Sequence, residues 1–274
     1  MTDAAVVTRV ADTIERLGSE AALAQPPSEG GTRFGLAGGY AIAREVLRRR
    51  EDAGWRRLGR KIAFTNGDMM RLYGISAPLF GYMYDRTLIH AEAGEASIPV
   101  AGLVQPKIEP EIAFKLRGAP PVSGDPAALL ASVEWLAQGF ELVQCHFPGW
   151  EFAAPDAVAD GGFHGRYVVG EPVAVAPGDA ERLVSELATF RIELILNGEP
   201  AAEGGGANVL GSPLNALAHL ADVLSGLPGH PPLAAGEIIT SGTLTAALPI
   251  EPGQVWTTRI AGLELPPVTL RLTA

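Results

Sequence analysis

Two glutamates stand two residues apart in segment 105–114, and their spacing is the first sign of chemistry in this sequence. If the segment is a strand, successive side chains point to opposite faces, so Glu109 and Glu111 share one face with Lys107. Two neighbouring carboxylates repel each other and raise each other's pKa, which a hard cation relieves. The pattern predicts a metal site, although a strand with one solvated face would show the same alternation.

A third carboxylate strengthens this prediction. Glu141 interrupts the apolar run 139–143, where an acidic side chain is costly unless it is paired or bound to a metal. Three carboxylates without nitrogen or sulfur ligands favour Mg²⁺ or Mn²⁺ over zinc. Lys61, in the strand-like segment 59–64, would neutralise the single negative charge left by three glutamates and one divalent cation. The plainer alternative is that Lys61 is an ordinary surface residue.

These residues need a scaffold, and the sequence predicts one in which helices come first and strands follow. Apolar residues at spacings of three and four predict a helix over 6–21, and a second helix is expected over 40–53. Later segments predict short strands, with helices over 125–135 and 214–224. Regular strand–helix alternation is absent. We therefore expect an α+β protein with a helical part over 1–58 and a β-rich catalytic domain over 59–274, or one continuous domain.

Composition and charge exclude several classes of protein. The 274 residues carry 21 Lys and Arg against 31 Asp and Glu, and the net charge of −10 disfavours nucleic acid as a partner. We expect no membrane partner and a cytoplasmic location, since no apolar run is long enough to span a bilayer and no signal peptide is recognisable. The glycine run 204–206 lacks the spacing of a dinucleotide fingerprint and is expected to form a loop.

Six stretches, in order along the chain, carry a resemblance to a known family. They are Gly59-Arg60-Lys61-Ile62, Pro106-Lys107-Ile108-Glu109-Pro110-Glu111-Ile112, Gly139-Phe140-Glu141-Leu142-Val143, Asp156-Ala157-Val158-Ala159-Asp160, Gly211-Ser212-Pro213-Leu214-Asn215-Ala216 and Gly236-Glu237-Ile238-Ile239-Thr240-Ser241-Gly242-Thr243. Together they resemble the hydratase and decarboxylase branch of the fumarylacetoacetate hydrolase superfamily. This branch includes 2-hydroxypenta-2,4-dienoate (2-keto-4-pentenoate) hydratases and 4-oxalocrotonate decarboxylases.

The resemblance implies a β-rich sandwich or roll of the fumarylacetoacetate hydrolase C-terminal type behind a smaller helical part. It assigns Mg²⁺ or Mn²⁺ to three carboxylates, those of Glu109, Glu111 and Glu141. It makes Lys61 the active-site lysine and places Asp160 near the pocket. It sets a turn against the substrate carboxylate, formed by Thr240, Ser241, Gly242 and Thr243. It also implies a homo-oligomer, an association with a related hydratase or decarboxylase, and a role in aromatic catabolism.

Two positions depart from the family pattern. The hydratases are expected to carry an acid in a Pro-Asp-Phe/Tyr-Gly stretch, and this chain has Leu79 there, at a position expected to face the substrate. Asp85 is a candidate replacement for that acid. The asparagine expected after Asp160 is Gly161 in this chain. His164, three residues further on, is either a replacement acid or base or an ordinary, partly buried histidine.

The resemblance implies a metal-dependent lyase that acts on a small anionic 2-oxo acid. The leading expectation is a hydratase that adds water to a 2-hydroxy-2,4-dienoate, with Lys61 as acid or base if burial lowers its pKa. A decarboxylase of a 4-oxalocrotonate-like diacid could use the same metal site, and the missing acid at Leu79 favours it. Hydrolysis of an acylpyruvate and a degenerate, inactive partner subunit remain as alternatives. Segment 148–152 is either a mobile lid or, as we favour, a fixed turn.

Overall fold

Seven helices and fourteen strands make up the part of the chain that the structure, a computed structural model, describes: residues 2–29, 34–122 and 125–274, apart from the side chain of residue 68. The helices are α1 (Ala4–Glu20), α2 (Leu36–Asp52), α3 (Gly67–Leu72), α4 (Pro126–Ala131), α5 (Ala154–Ala159), α6 (Ala180–Thr189) and α7 (Pro213–Gly226). None of the helices in these ranges is long and apolar enough to cross a membrane.

The strands form two mixed sheets. They are β1 (Arg57–Ala63), β2 (Leu79–Tyr84), β3 (Leu88–His90), β4 (Glu95–Pro99), β5 (Lys107–Leu116), β6 (Val133–Val143), β7 (His164–Val169), β8 (Val173–Ala174), β9 (Arg191–Leu196), β10 (Glu199–Gly205), β11 (Ile238–Thr240), β12 (Leu248–Pro249), β13 (Val255–Ala261) and β14 (Thr269–Thr273). The larger sheet has the order β2-β1-β11-β5-β6-β7-β3, with β12 beside β5 and β8 beside β6. The smaller sheet has the order β10-β9-β13-β14-β4.

The hydrophobic core lies on both sides of the larger sheet. One cluster joins helices to this sheet and includes Ile14, Val46, Phe80, Phe114 and Leu217. A second cluster joins the two sheets and includes Ile108, Phe140, Trp256 and Leu270. The α+β expectation is confirmed. Because α1 and α2 share a core with the larger sheet, nothing separates them as a second unit, and the boundary at residue 58 stays a prediction.

Several predicted elements differ from those in the structure. The helix expected over 125–135 ends at Ala131, and β6 begins at Val133 because its backbone pairs with β5. The glycine run expected to be a loop lies partly in β10, where Gly204 pairs with Ile192. The sequence does not predict elements α3, α5, α6, β4, β8, β10 and β12. Strand pairing fixes β4 and β10, and apolar alternation along a single chain does not reveal it.

The centre of the larger sheet brings the chemically interesting residues together. Strand β5 lies between β11 and β6, and β11 is in turn paired with β1. The register places Glu109 directly opposite Glu141 on β6, and Lys61 of β1 beside Thr240 of β11. Residues that are up to 179 positions apart in the sequence therefore meet on four adjacent strands.

Candidate metal centre and cavity

Three glutamates form a compact, buried cluster. Each of Glu109, Glu111 and Glu141 offers a carboxylate oxygen, and these atoms lie within 4.8 Å of one another. Glu111 and Glu141 are 1% and 0% exposed, whereas Glu109 is partly exposed. One oxygen of Glu111, Oε1, is buried and has no hydrogen-bond partner. A buried carboxylate oxygen without a partner is costly, so the cluster is built for a ligand that supplies positive charge.

Lys61 is the cation of this cluster. Its Nζ lies 3.0 Å from Oε2 of Glu141 and donates a hydrogen bond of 2.8 Å to the carbonyl oxygen of Gly162. Burial alone would lower the pKa of Lys61, but the carboxylates of the cluster outweigh burial and raise it. The lowered pKa that Lys61 would need in order to act as a base is therefore not present, and the side chain is a charged ammonium.

The three carboxyl groups have unequal acidities. Burial, together with the charge of Glu141, raises the pKa of Glu109 to about 7 although Lys61 opposes it. Burial and both neighbouring carboxylates raise the pKa of Glu111 well above its ordinary value. Burial would also raise the pKa of Glu141, but Lys61 and His164 hold it below its ordinary value. Glu141 is thus the carboxylate that stays charged most readily.

The donor set fits a divalent hard cation. Three carboxylates and the ammonium of Lys61 sum to −3 + 1 = −2, which Mg²⁺ or Mn²⁺ would neutralise. All the candidate ligand atoms are oxygens, the type that these cations prefer. One oxygen of Glu111 has no hydrogen-bond partner, and the pKa values of Glu109 and Glu111 are raised. A bound cation would relieve both features.

His164 supports the cluster from behind. Its Nδ1 lies 2.8 Å from Oε1 of Glu141, and its Nε2 lies 2.8 Å from Oγ1 of Thr87. A carboxylate only accepts hydrogen bonds, so Nδ1 must carry a proton. In the neutral ring Nε2 is an acceptor, and the Thr87 hydroxyl then donates to it at 2.8 Å in place of its longer contact, 3.2 Å, with the carbonyl oxygen of Tyr84. Burial lowers the pKa of His164, which favours that neutral form. With both ring nitrogens engaged, His164 orients Glu141 and is not free to activate water.

The close approach of one loop to β2 depends on Gly81. A Cβ added at Gly81 would lie 1.9 Å from the carbonyl oxygen of Gly161, so any side chain there would push the loop away. The next residue, Gly162, supplies the oxygen that accepts the hydrogen bond from Lys61. The glycine in β2 therefore helps to fix the position of the lysine.

Only part of the turn at 240–243 borders the cavity, whereas the resemblance implies that all four residues contact the substrate carboxylate. The backbone N–H of Gly242 donates to Oε2 of Glu111 at 3.0 Å, and Gly242 and Thr243 line the cavity. Thr240 and Ser241 are fully buried, and the Ser241 hydroxyl accepts from the N–H of Ile112. Gly242 and Thr243 are therefore placed to meet a ligand, Ser241 supports the neighbouring strand, and the side chain of Thr240 lies against the carboxyl group of Glu111.

A cavity with mostly apolar walls opens beside Glu109 and Lys61. The empty space within it is about 610 Å³, including space open to solvent. Its aromatic residues are Phe64, Tyr73, Trp150, Phe152 and Phe163. The rings of Tyr73 and Phe152 stack with their centroids 4.7 Å apart. Phe64 and Tyr73 were not singled out from the sequence, because nothing in the pattern separates a cavity aromatic from a core aromatic.

Segment 148–152 is held as a turn. The side chain of Gln105 accepts a hydrogen bond from the N–H of Gly149 at 2.9 Å and donates to the carbonyl oxygen of Phe147 at 2.7 Å. The indole N–H of Trp150 donates to the backbone oxygen of Gln105 at 3.2 Å. These contacts favour the fixed turn over the mobile lid.

Three residues singled out from the sequence lie away from this cavity. Leu79 is buried in the core and does not line the cavity, so it is not placed to face the substrate. Asp85 is partly exposed, pairs with Arg56 and does not line the cavity where the missing acid is expected. Asp160 is buried against His146, with 2.7 Å between Oδ1 and Nδ1, and lines a second cavity.

The fold and site define a β-rich protein with a cluster of three carboxylates, able to hold a metal ion, at the wall of an apolar cavity. Residues 77–267 match the family described as fumarylacetoacetate (FAA) hydrolase C-terminal. The chain is 33% identical, over 82% of both chains, to a 2-hydroxyhexa-2,4-dienoate hydratase from Comamonas testosteroni. It is also 32% identical, over 83% of both chains, to a 4-oxalocrotonate decarboxylase from Pseudomonas putida. The chain belongs to the fumarylacetoacetate hydrolase family.

One solved structure is similar over almost the whole length. It is a 4-oxalocrotonate decarboxylase from Pseudomonas putida G7 complexed with magnesium and adipate. The TM-score is 0.86 at 26% identity, and the match covers 97% of each chain. The resemblance that the six sequence stretches carry is thereby confirmed, including the helical N-terminal part, which the stretches themselves did not reach.

Proposed function

We propose that this protein is a metal-dependent hydratase that converts a 2-hydroxy-2,4-dienoate to a 4-hydroxy-2-oxo acid. The observation that carries this proposal is the buried cluster of three carboxylates with Lys61, which adjoins an apolar cavity. The similarity to a dienoate hydratase over 82% of both chains supports the same reaction. The adjoining cavity suits a short unsaturated carbon chain, because its walls are mostly apolar and include five aromatic residues.

The carboxylates of Glu109, Glu111 and Glu141 would hold Mg²⁺ or Mn²⁺. The bound cation would act as a Lewis acid and stabilise negative charge on the C2 oxygen of the substrate. The charged Lys61, 3.0 Å from Glu141, would attract the anionic substrate and hold the buried carboxylate in place. His164, with its neutral ring, would keep Glu141 in the orientation that the site requires.

The proton transfers in this reaction must sum to the addition of one water molecule. The dienol gains a proton at C5 and loses the proton of the C2 hydroxyl, which gives an unsaturated ketone. Water then adds at C4, and C3 gains a proton. Lys61 is the group we assign to these transfers, because its Nζ lies at the cavity wall beside the carboxylates. Since it starts as a charged ammonium, it would first donate a proton to C5, and the amine so formed would take the proton of the C2 hydroxyl. Burial raises the pKa of Tyr73, so its phenol would keep its proton and would not act as a base.

NMR of the product tests the proposal. Purified protein would be incubated with 2-hydroxypenta-2,4-dienoate, once with Mg²⁺ and once with EDTA. A 4-hydroxy-2-oxo acid that forms with Mg²⁺ and not with EDTA is the expected result. If the protein binds Mg²⁺ but leaves the dienoate unchanged, the hydratase proposal is wrong and the metal site stands.

Decarboxylation of a 4-oxalocrotonate-like diacid is the second candidate. A specific observation favours it: among the described side chains that line the cavity, Glu109 is the only carboxylic acid. The close structural similarity to a 4-oxalocrotonate decarboxylase points the same way. Release of CO₂ from 4-oxalocrotonate, without hydration of the pentadienoate, would establish this reaction. Hydrolysis of an acylpyruvate would need His164 as its base. Both ring nitrogens of His164 already form hydrogen bonds, so we do not propose this reaction.

The assembly and location of the protein are also proposals that rest on the family. We expect a cytoplasmic homo-oligomer that takes a small 2-oxo acid and associates with a related hydratase or decarboxylase. Light scattering during size-exclusion chromatography would give the mass of the assembly. A monomer at micromolar concentration would contradict the expected homo-oligomer. Failure to co-elute with a related enzyme would contradict the expected association.

A further inference from the structure

A second cavity lies between the N-terminal helices and the larger sheet. Helices α1 and α2, strand β2 and residues 159–161 and 164 contribute to its walls, and its empty space is about 490 Å³, including space open to solvent. Within the described part of the chain, neither Lys61 nor any of the three clustered glutamates lines it. The second cavity is therefore separate from the apolar cavity beside Glu109, and the proposed chemistry does not use it.

His146 carries a buried nitrogen without a partner in the wall of the second cavity. Its Nδ1 lies 2.7 Å from Oδ1 of Asp160, and its backbone N–H donates to Oδ2 at 3.3 Å. A carboxylate only accepts hydrogen bonds, so Nδ1 carries the proton of the neutral ring and Nε2 is an acceptor. This Nε2 has no hydrogen-bond partner among the described residues. Because a buried polar atom without a partner is costly, Nε2 favours a ligand that donates a hydrogen bond to it.

Arg50 supplies a positive charge in the same wall. Within the described ranges its guanidinium forms no ion pair, whereas Arg48 on the same helix pairs with Glu45 at 2.8 Å. Burial raises the pKa of Asp160, and hydrogen bonds from His146 and the charge of Arg50 oppose this rise, so the guanidinium lies close to the pair. Both oxygens of Asp160 already accept from His146, which leaves the guanidinium of Arg50 available to an anionic ligand.

Gln144 adds a second donor to the wall. Its Oε1 accepts from the backbone N–H of Val104 at 3.2 Å, which leaves its amide N–H groups as donors. The second cavity therefore combines one acceptor, the imidazole nitrogen, with donors that include a full positive charge. The ligand that matches both is an oxyanion that also carries an O–H group.

We propose that the second cavity binds a small oxyanion with one hydroxyl group, such as bicarbonate or hydrogen phosphate. The hydroxyl group would donate to Nε2 of His146. The charged oxygens would accept from the guanidinium of Arg50 and the amide of Gln144. The inference is independent of the proposed function, because none of these three side chains belongs to the metal cluster or lines the apolar cavity.

An ordered water molecule is the competing occupant. Water could donate to Nε2 of His146 and accept from Arg50, and it would leave the guanidinium without an anion. A site for water predicts no saturable binding of any oxyanion. A site for a hydroxylated oxyanion predicts that acetate binds more weakly than bicarbonate, because acetate has a similar size and charge but no hydroxyl group.

Calorimetry on the full chain tests the inference. The probes are bicarbonate, hydrogen phosphate, acetate and chloride at pH 8, with EDTA present to keep cations out of the carboxylate cluster. His146→Asn removes Nε2 but keeps an amide N–H that can donate to Asp160 in place of Nδ1. Arg50→Gln removes the charge, and its matched control Arg48→Gln removes an exposed charge from the same helix. Lys107→Met removes a cation that lines the apolar cavity.

Bicarbonate or hydrogen phosphate should bind with a Kd of about 1 mM, and acetate and chloride at least about tenfold more weakly. The tighter of the two oxyanions identifies the source of the ligand. His146→Asn and Arg50→Gln should each raise its Kd at least about fivefold, while Arg48→Gln and Lys107→Met leave it within about twofold.

Three results would overturn the inference. Absence of saturable binding by both hydroxylated oxyanions would leave water as the occupant. Acetate that binds as tightly as bicarbonate and hydrogen phosphate would show that no hydroxyl group is recognised. Binding that survives both His146→Asn and Arg50→Gln would place the anion outside the second cavity.

Discussion

Replacing Glu109 by glutamine should stabilise the metal-free protein while it removes metal binding. Burial and Glu141 raise the pKa of Glu109 from its ordinary 4.5 to about 7. Each pKa unit corresponds to about 1.36 kcal/mol, so keeping this carboxylate charged costs up to about 3 kcal/mol of folding stability. Glu109 is partly exposed and solvent screens part of this cost, so we expect Glu109→Gln to gain between about 1.5 and 3 kcal/mol at pH 8.

The sign of the pH dependence follows from the raised pKa. A group whose folded-state pKa lies above its unfolded value contributes full stability below pH 4.5, and this contribution is lost as the pH rises through about 7. The wild type bears the whole cost at pH 8 and less than about 1 kcal/mol at pH 5. The advantage of Glu109→Gln should therefore shrink as the solution is made more acidic.

Urea unfolding in EDTA, at pH 8 and at pH 5, measures this difference. The matched control is Glu134→Gln, an exposed position on β6, which should change the free energy of unfolding by less than about 0.5 kcal/mol. Addition of Mg²⁺ at 100 times its Kd should stabilise the wild type by about 2.7 kcal/mol and Glu109→Gln by much less. A Glu109→Gln variant that is no more stable than wild type at pH 8 in EDTA would refute the reasoning.

Three further predictions concern the groups around the cluster. Lys61→Met should lower kcat at least about 100-fold while calorimetry still detects metal binding; an active variant would remove Lys61 from the mechanism. His164→Gln should weaken Mg²⁺ binding about tenfold, because Glu141 loses the group that orients it, and an unchanged Kd would show that the contact is dispensable. Gly81→Ala should lower the free energy of unfolding by about 1–3 kcal/mol. The control Gly118→Ala, where an added Cβ would have no atom within 4 Å, should have little effect. Equal effects of the two variants in urea unfolding would contradict the close approach of Gly161 to Gly81.

The cluster of three glutamates was predictable because it rests on short-range spacing and on one acidic residue whose burial costs free energy. The spacing of Glu109 and Glu111 on a strand requires a shared face, and Glu141 stands in an apolar run where a lone carboxylate is expensive. The structure brings the three together within 4.8 Å. Their role as metal ligands stays a prediction until binding is measured.

Some of the residues expected at the site lie elsewhere in the structure, and for these the position depends on where a side chain points in three dimensions. Leu79 and Asp85 lie in or near the stretch 78–81 that departs from the family pattern, but Leu79 packs into the core and Asp85 pairs with Arg56. His164 was weighed as an acid or base, and its partners Glu141 and Thr87 are 23 and 77 positions away. No local pattern indicates such partners.

The sequence by itself determined the class of the fold, the three carboxylates and the family. The alternation of apolar and polar residues, a carboxylate within an apolar run and the order of the motifs can all be observed in the sequence. Only the tertiary structure decided the charge state of Lys61, the supporting role of His164 and the place of Lys107 in the cavity. These depend on distances of a few ångströms between four or more strands. Electrostatic and hydrogen-bond energies change steeply over such distances, and the sheet register that sets them is a property of the whole chain.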